Sequence, residues 1–187
     1  MTDTKRSHFV VLALATMMLS VSTLVGAAET AAEIDREVDN AIEKLYSGSD
    51  TAKELSKVAK GVLVFPDVVK AGLIVGGQYG KGALRVDGKT TAYYSTVAAS
   101  YGLQAGAQSF GYAMFFMTDE ALEYLDKSSG WEVGVGPSVV VVDEGVARSL
   151  TTTTAKEDIY VFFFDQRGLM AGLGIQGSKI TKINPDE

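Results

Sequence analysis

The sequence predicts an α+β fold: a predominantly antiparallel, curled or barrel-like β-sheet carrying two N-terminal helices and one short middle helix. Three observations predict it. Between residues 31 and 59 apolar side chains recur at spacings of three and four, the period of helices with one buried stripe. From Gly61 onward the period falls to two, and β-branched, aromatic and Gly residues take over. After that point only residues 118–127 return to helical spacing. Glycine is dense inside the strand-like segments, so the sheet is expected to curl or close over roughly eight to ten strands.

The first 28 residues fall outside this fold. Lys5 and Arg6 form a short basic segment, residues 9–25 are apolar, and Val25-Gly26-Ala27 or Gly26-Ala27-Ala28 supplies the small residues a signal peptidase accepts. Residues 1–28 are therefore read as a secretory signal peptide and residues 29–187 as a single domain. An uncleaved N-terminal anchor is the alternative, against which stands the acidic, polar helix that follows at once. There is no Cys for lipid attachment, and Lys5-Arg6 lacks the twin Arg of the Tat route, so general secretion is expected. The chain is placed in the periplasm or outside the cell, with membrane association left open.

Setting aside Lys5, Arg6 and Asp3 leaves 15 basic and 22 acidic residues, a net charge near −7. That balance disfavours nucleic acid, whose nonspecific binding depends on neutralising phosphates. Attraction to an anionic surface has to come from a local basic patch. The only His, His8, lies in the leader, and Cys is absent. Ser/His and Cys/His nucleophilic machinery, zinc sites on His or Cys, thiol redox chemistry and disulfides are thereby excluded from residues 29–187. No metal and no cofactor are expected. The carboxylates left for an acid-only enzyme, Asp119, Glu120, Asp143, Glu144 and Asp165, all fall at predicted turns or helix starts, where they cap or solvate the chain. The protein is read as non-catalytic.

Along the chain, residues 31–46 place Ile34, Val38, Ala41, Ile42 and Leu45 on one stripe, with acids and bases between them. Ser47 to Asp50 stop this helix and cap a second one over about 51–59, with Leu55, Val58 and Ala59 inward and Lys53, Lys57 and Lys60 on a basic side. Residues 61–65 form a short apolar strand ended by Pro66-Asp67. A Gly-rich strand pair follows, turning at Asp87-Gly88. Glycines at this density mark bulges, coiling or close backbone approach.

Residues 93–117 carry no charge. Alternation puts Leu103, Ala105, Ala107 and Ser109 on one face and Gln104, Gly106, Gln108 and Phe110 on the other. Such a stretch reads as a central strand covered on both sides, or as a strand whose Gln104 and Gln108 line a ligand cavity. Thr118 and Asp119 cap the middle helix, with Leu122 and Leu125 inward. Trp131 opens a further strand, the apolar run to Asp143 reads as a strand covered on both faces, Glu144-Gly145 as a turn, and 146–154 as a segment that pairs back or stays a solvated loop. Residues 159–164 are a buried strand, 165–168 a tight turn and 169–183 one or two final strands.

Nucleotide motifs fail on spacing. Gly80-Lys81 is followed by Gly82 where a phosphate loop needs Ser or Thr, and Val75 stands where its leading Gly belongs. The run from Gly102 to Gly111 lacks the GxGxxG spacing and a following helix. Ser100 sits in a loose elbow-like context, with no His to activate it.

The succession AKGVLVFPDVVKAGLIVGGQYGKGAL, YYSTVAASYGLQAGAQSFGYAMFFMTDEALEYL, GWEVGVGPSVVVVDEG and DIYVFFFDQRGLMAGLGIQGSKITKI resembles the SYLF domain family, in order and over essentially all of residues 29–187. Eukaryotic members of that family, among them yeast actin-patch proteins, bind phosphoinositides, and some bind or bundle actin; bacterial members are exported. The resemblance implies a phospholipid-binding domain. The chain departs from the eukaryotic pattern in lacking SH3 and FYVE modules, in its expected export and in its acidic first helix. Actin is therefore not expected as a partner, and an anionic phospholipid or membrane surface is. Six cations at strand ends or turns, Lys60, Lys70, Lys81, Arg85, Lys179 and Lys182, are the candidate lipid contacts, with Gln104 and Gln108 as candidate cavity lining. The alternative is a structural or protein-interaction component of the cell envelope without specific lipid binding, and an oligomer is left open.

Overall fold

The computed structural model describes residues 29–72, 75–101, 106–127, 130–168 and 177–186. Helix α1 (Ala31–Gly48) starts on a reciprocal cap: the Glu33 N–H donates to Thr30 Oγ1 at 3.3 Å, and the Thr30 N–H donates to Glu33 Oε2 at 2.9 Å. Donation from the Thr30 N–H, and from the Thr30 hydroxyl, to its carboxylate holds the Glu33 carboxyl below its ordinary range. Ile34, Val38, Ala41 and Leu45 are buried along the predicted stripe. Ser49 ends α1 and caps α2 (Asp50–Leu55) by accepting the Ala52 N–H. That second helix is shorter than its pattern predicts, and Val58, expected to point inward, is exposed beyond its end.

One eight-stranded sheet follows, in the order β5-β8-β3-β2-β1-β4-β7-β6. Its strands are β1 (Gly61–Gly72), β2 (Val75–Val86), β3 (Lys89–Tyr101), β4 (Gly106–Phe116), β5 (Trp131–Glu132), β6 (Val139–Val141), β7 (Ile159–Gly168) and β8 (Lys179–Ile183). Every pairing is antiparallel except β6 with β7, and the sheet curls into a half-barrel. The β2–β3 turn is the one predicted: Asp87 and Gly88 both take positive φ, at 51° and 74°, as a two-residue hairpin turn requires.

The two sheet faces carry separate cores. On one, α1 and α2 cover Val62, Val64, Ala83, Ala113 and Phe115. On the other, helix α3 (Asp119–Lys127) packs Ala121 and Leu125 onto Leu63, Leu84, Tyr94, Met114 and Trp131. Its start is the predicted one, Thr118 Oγ1 accepting the Ala121 N–H. Tight curling is why Gly82 has no side chain: a Cβ there would lie 2.0 Å from the Val64 carbonyl oxygen and 2.9 Å from the Phe65 ring.

Several local expectations are corrected. Pro66-Asp67 does not end the first strand. Both ladders step over Pro66, which has no N–H to pair: the one to β2 skips Phe65 and Pro66 and resumes at Asp67, the one to β4 skips Pro66 and Asp67 and resumes at Val68, so β1 runs on through a bulge. Asp165 likewise makes no tight turn; it takes φ 54° inside β7, where the register against β4 shifts, and the strand runs on to Gly168. The apolar run 131–143 is broken into β5, a turn and the three-residue edge strand β6. Helix α4 (Glu144–Ser149) replaces the predicted turn, because Asp143 accepts the Val146 N–H as an N-cap. Finally, residues 93–117 are two strands that are not neighbours: β3 lies between β2 and β8, β4 between β1 and β7.

Candidate functional site

The alternation read for residues 107–110 holds: Gln108 and Phe110 are buried on the α3 face and Ser109 points to the other. Coverage on both sides does not. On the α1 face, beyond the end of the helices, Val69, Tyr79 and Val97 are about half exposed, at 50%, 51% and 48%. They are directly cross-strand, Val69 against Tyr79 and Tyr79 against Val97, so they form one continuous row over β1, β2 and β3. The row continues to exposed Lys179 on β8 at one end, and through Ser109 to exposed Arg167 on β7 at the other. Exposed Ala71, Gly77 and Ala99 form the next rank. A contiguous exposed apolar patch edged by charge is the usual mark of an interaction surface.

The structure does not gather the six candidate cations into one patch. Arg85 and Lys81 lie on the α1 face of β2. Arg85 is mostly buried and donates to Asp39 Oδ1 at 2.7 Å and to the Asp35 backbone carbonyl at 3.2 Å, fastening α1 to the sheet. Lys81 faces Glu29 at 4.0 Å. Burial, together with nearby Glu37, raises the Glu29 pKa. Lys60 pairs with Asp119 at 3.2 Å and Lys182 with Asp126 at 2.7 Å, both at α3. Lys179 edges the apolar row. Lys70 is half-buried on the α3 face, in register between Gln78 and Gln108.

Gln104 lies outside the described residues. Gln108 faces inward, as a cavity-lining residue must, but it is packed between Lys70 and Gly168 and is 6% exposed, its Oε1 without a partner. Nearby, Gln78 Nε2 donates to Ser178 Oγ at 3.4 Å.

A groove of about 460 Å³ opens between α3 and the sheet. Leu84, Val86, Ala92 and Leu122 make its apolar floor. Asp119, Glu123, Asp126 and Lys182 make its rim, where the ion pairs Lys60–Asp119, Lys127–Glu123 and Lys182–Asp126 sit in solvent. Lys182 is the cross-strand partner of Tyr94, whose side chain is buried at 1% exposure with a hydroxyl that has no hydrogen-bond partner. Burial, with the Asp126 carboxylate second, pushes that phenol up to about 12. It therefore remains a donor throughout the neutral range.

Residues 97–186 match the family model described as Ysc84, Las17-binding protein actin regulator. The chain carries a SYLF-family segment there. No curated protein matches the chain.

The SYLF segment contains β4, α3, β7, β8 and the start of the apolar row at Val97, and with them Gln108, Lys179 and Lys182. Lys60, Lys70, Lys81 and Arg85 lie outside the matched residues. Sequence reasoning missed the apolar row, because its three side chains come from three strands whose register no single sequence reveals. It also missed the groove, whose floor joins residues as far apart as Leu84 and Leu122. The one available signal was the absence of charge from residue 93 to 117, which leaves Val97 and Ala99 nothing polar to present.

Proposed function

We propose that this protein is an exported, non-catalytic phospholipid-binding module of the bacterial cell envelope that docks on an anionic bilayer surface. The observation that supports it is the row Val69-Tyr79-Val97, an exposed apolar strip ended by Lys179 and Arg167. Apolar side chains at this exposure gain by entering the bilayer interface, and each flanking cation adds about 1 kcal/mol next to anionic head groups. The SYLF segment supports a lipid- or actin-related partner in general terms. The leader read at residues 1–28 favours lipid, because an exported protein does not meet actin. Glu29 sits beside Lys81, two residues from Tyr79 on the same strand face, so the point where the leader joins the domain lies next to the apolar row.

Cosedimentation with vesicles tests this. The protein is expected to pellet with phosphatidylglycerol-containing vesicles and to stay in solution with phosphatidylcholine alone. Tyr79→Asp with Val97→Asp should weaken binding about tenfold or more, since both side chains enter the interface. Lys179→Glu with Arg167→Glu should remove the preference for anionic lipid. Equal recovery with both vesicle types, or binding indifferent to the Asp changes, would sink the reading. A fixed dimer in native mass spectrometry that Tyr79→Asp dissociates would instead give the face to a second copy.

A further inference from the structure

We infer that the sheet meets the bilayer end-on: the strand ends around Val75 enter the upper acyl chains of one leaflet, and a belt of cations behind them stays with the anionic head groups. This rests on the reading of the Val69-Tyr79-Val97 row as a bilayer contact, and adds a direction and a depth to it.

The order of charges along the strands carries the inference. Because the central strands alternate in direction, Gly72, Val75, Tyr101, Gly106 and Gly168 share one end of the sheet. Counted from that end, the first charged residue is basic on four strands: Lys70 on β1, Lys81 on β2, Arg167 on β7 and Lys179 on β8. Strand β4 has no charge, and β3 has only Lys89, at its far end. Register puts Arg167 and Lys179 level with the Val69-Tyr79-Val97 row. Lys70, opposite Gln78, is one residue nearer the end, and Lys81 is two residues further from it. The first acids on β1 and β7, Asp67 and Asp165, come only behind these cations. At the belt itself Glu132 lies opposite Lys179, and Glu29 is 4.0 Å from Lys81. Beyond the belt Ala71, Gly77 and Ala99 are exposed, and Val75, at 67%, is the most exposed large apolar side chain described. The connecting residues 73–74, 102–105 and 169–176 add no Asp, Glu, Lys or Arg to the sequence. The opposite end is charged, with Lys60, Asp87, Lys89 and Asp119.

A face made for another protein has no need of cations at one level across four strands, whereas a bilayer presents one plane of phosphates. Lysine stems lie along apolar surface while their ammonium groups stay among those phosphates. With the row at head-group level, Val75 lies about 13 Å further along its strand, past an interfacial layer about 6 Å thick and well short of crossing a hydrocarbon core of about 30 Å. The entering backbone of β1 and β2 keeps its partners, Gly72 with Gly76 and Gly106, and Val75 with Tyr101.

The absence of Cys makes depth measurable one position at a time. Val75→Cys, Val69→Cys and Lys89→Cys, each carrying a nitrobenzoxadiazole label, are mixed with phosphatidylglycerol-containing vesicles that hold spin labels either on the acyl chains or on the head groups. The label at 75 should shift to the blue and be quenched more by the acyl-chain spin label, the label at 69 more by the head-group one, and the label at 89 by neither. Val75→Asp, a change at an exposed position, should weaken cosedimentation about tenfold, and Lys89→Gln should leave it unchanged. Equal depth at 75 and 69, or full binding by Val75→Asp, would overturn end-on entry and leave the bilayer face standing. No pelleting with any vesicle would sink both readings. A blue shift at 75 that needs no vesicle and grows with protein concentration would give this end to a second copy instead.

Discussion

Two tyrosine hydroxyls buried on the α3 face stand in opposite situations. Tyr112 donates to Thr96 Oγ1 at 2.9 Å, deep beneath the Phe65, Phe110 and Phe163 rings. Tyr94 donates to nothing. Removing one member of a buried pair leaves the other unsatisfied, so Tyr112→Phe should cost about 1–2 kcal/mol in urea denaturation, whereas Tyr94→Phe should cost nothing measurable. Burial raises both phenols, Tyr94 to about 12. The folded state therefore holds these protons more tightly than the unfolded chain, whose tyrosines ionise near 10. Stability is fully present below about pH 10 and is lost as pH rises through the folded values. An alkaline titration followed by tyrosinate absorbance should show this limb, and Tyr94→Phe should flatten it; a stability curve level up to pH 12 in the unmodified protein would contradict the burial of both groups.

At the scale of elements, Asp158 is the joint between three of them. Its Oδ2 accepts the Ser138 N–H and Oγ–H, both at 2.9 Å, just ahead of β6, its own N–H donates to Ser138 Oγ at the start of β7, and its Oδ1 accepts from Thr118, the cap of α3, at 3.4 Å. These bonds hold its carboxyl below the ordinary range. A depressed carboxylate contributes stability above the unfolded pKa and loses it as pH falls through the folded value, so this contribution fades from about pH 4 downward. Asp158→Ala should destabilise by about 2 kcal/mol and expose the β6 amides to exchange first; Asp158→Asn should flatten the acid limb. Unchanged β6 protection in the Ala variant would show that Ser138 is held by other means. None of this joint was legible in the sequence, because Ser138 and Asp158 are unremarkable alone. What was legible had a local cause: the α1 stripe, the Thr118 cap and the Asp87-Gly88 turn each need only adjacent residues. The bulges at Pro66 and Asp165 and the cap that makes α4 depend on which strand lies alongside, and there the local pattern misled.

For the whole molecule, the decisive tension is between net charge and local charge. Residues 29–187 carry about seven excess negative charges, yet the proposed bilayer face is ended by Lys179 and Arg167. The six cations read from the sequence were expected to meet a ligand; at least four of them, Lys60, Lys81, Arg85 and Lys182, are instead opposite carboxylates, and only register, which a single sequence does not encode, decides this. At an ionic strength of about 0.01 M the Debye length is about 30 Å, comparable to the domain, and an anionic vesicle feels the whole negative molecule. At about 0.15 M it is about 8 Å, and only the groups on the docked face count. The apolar row is indifferent to this screening, and the two cations still act at contact. Binding to phosphatidylglycerol vesicles should therefore strengthen between about 0.01 and 0.15 M salt and weaken only at higher salt, the opposite of a basic peptide, whose attraction falls from the start. In the Lys179→Glu and Arg167→Glu double variant the rise should persist without the later fall, because only repulsion and apolar contact remain. A steady loss of binding from the lowest salt upward in the unmodified protein would mean that cations alone hold it to the membrane, and the Val69-Tyr79-Val97 row would lose its assigned role.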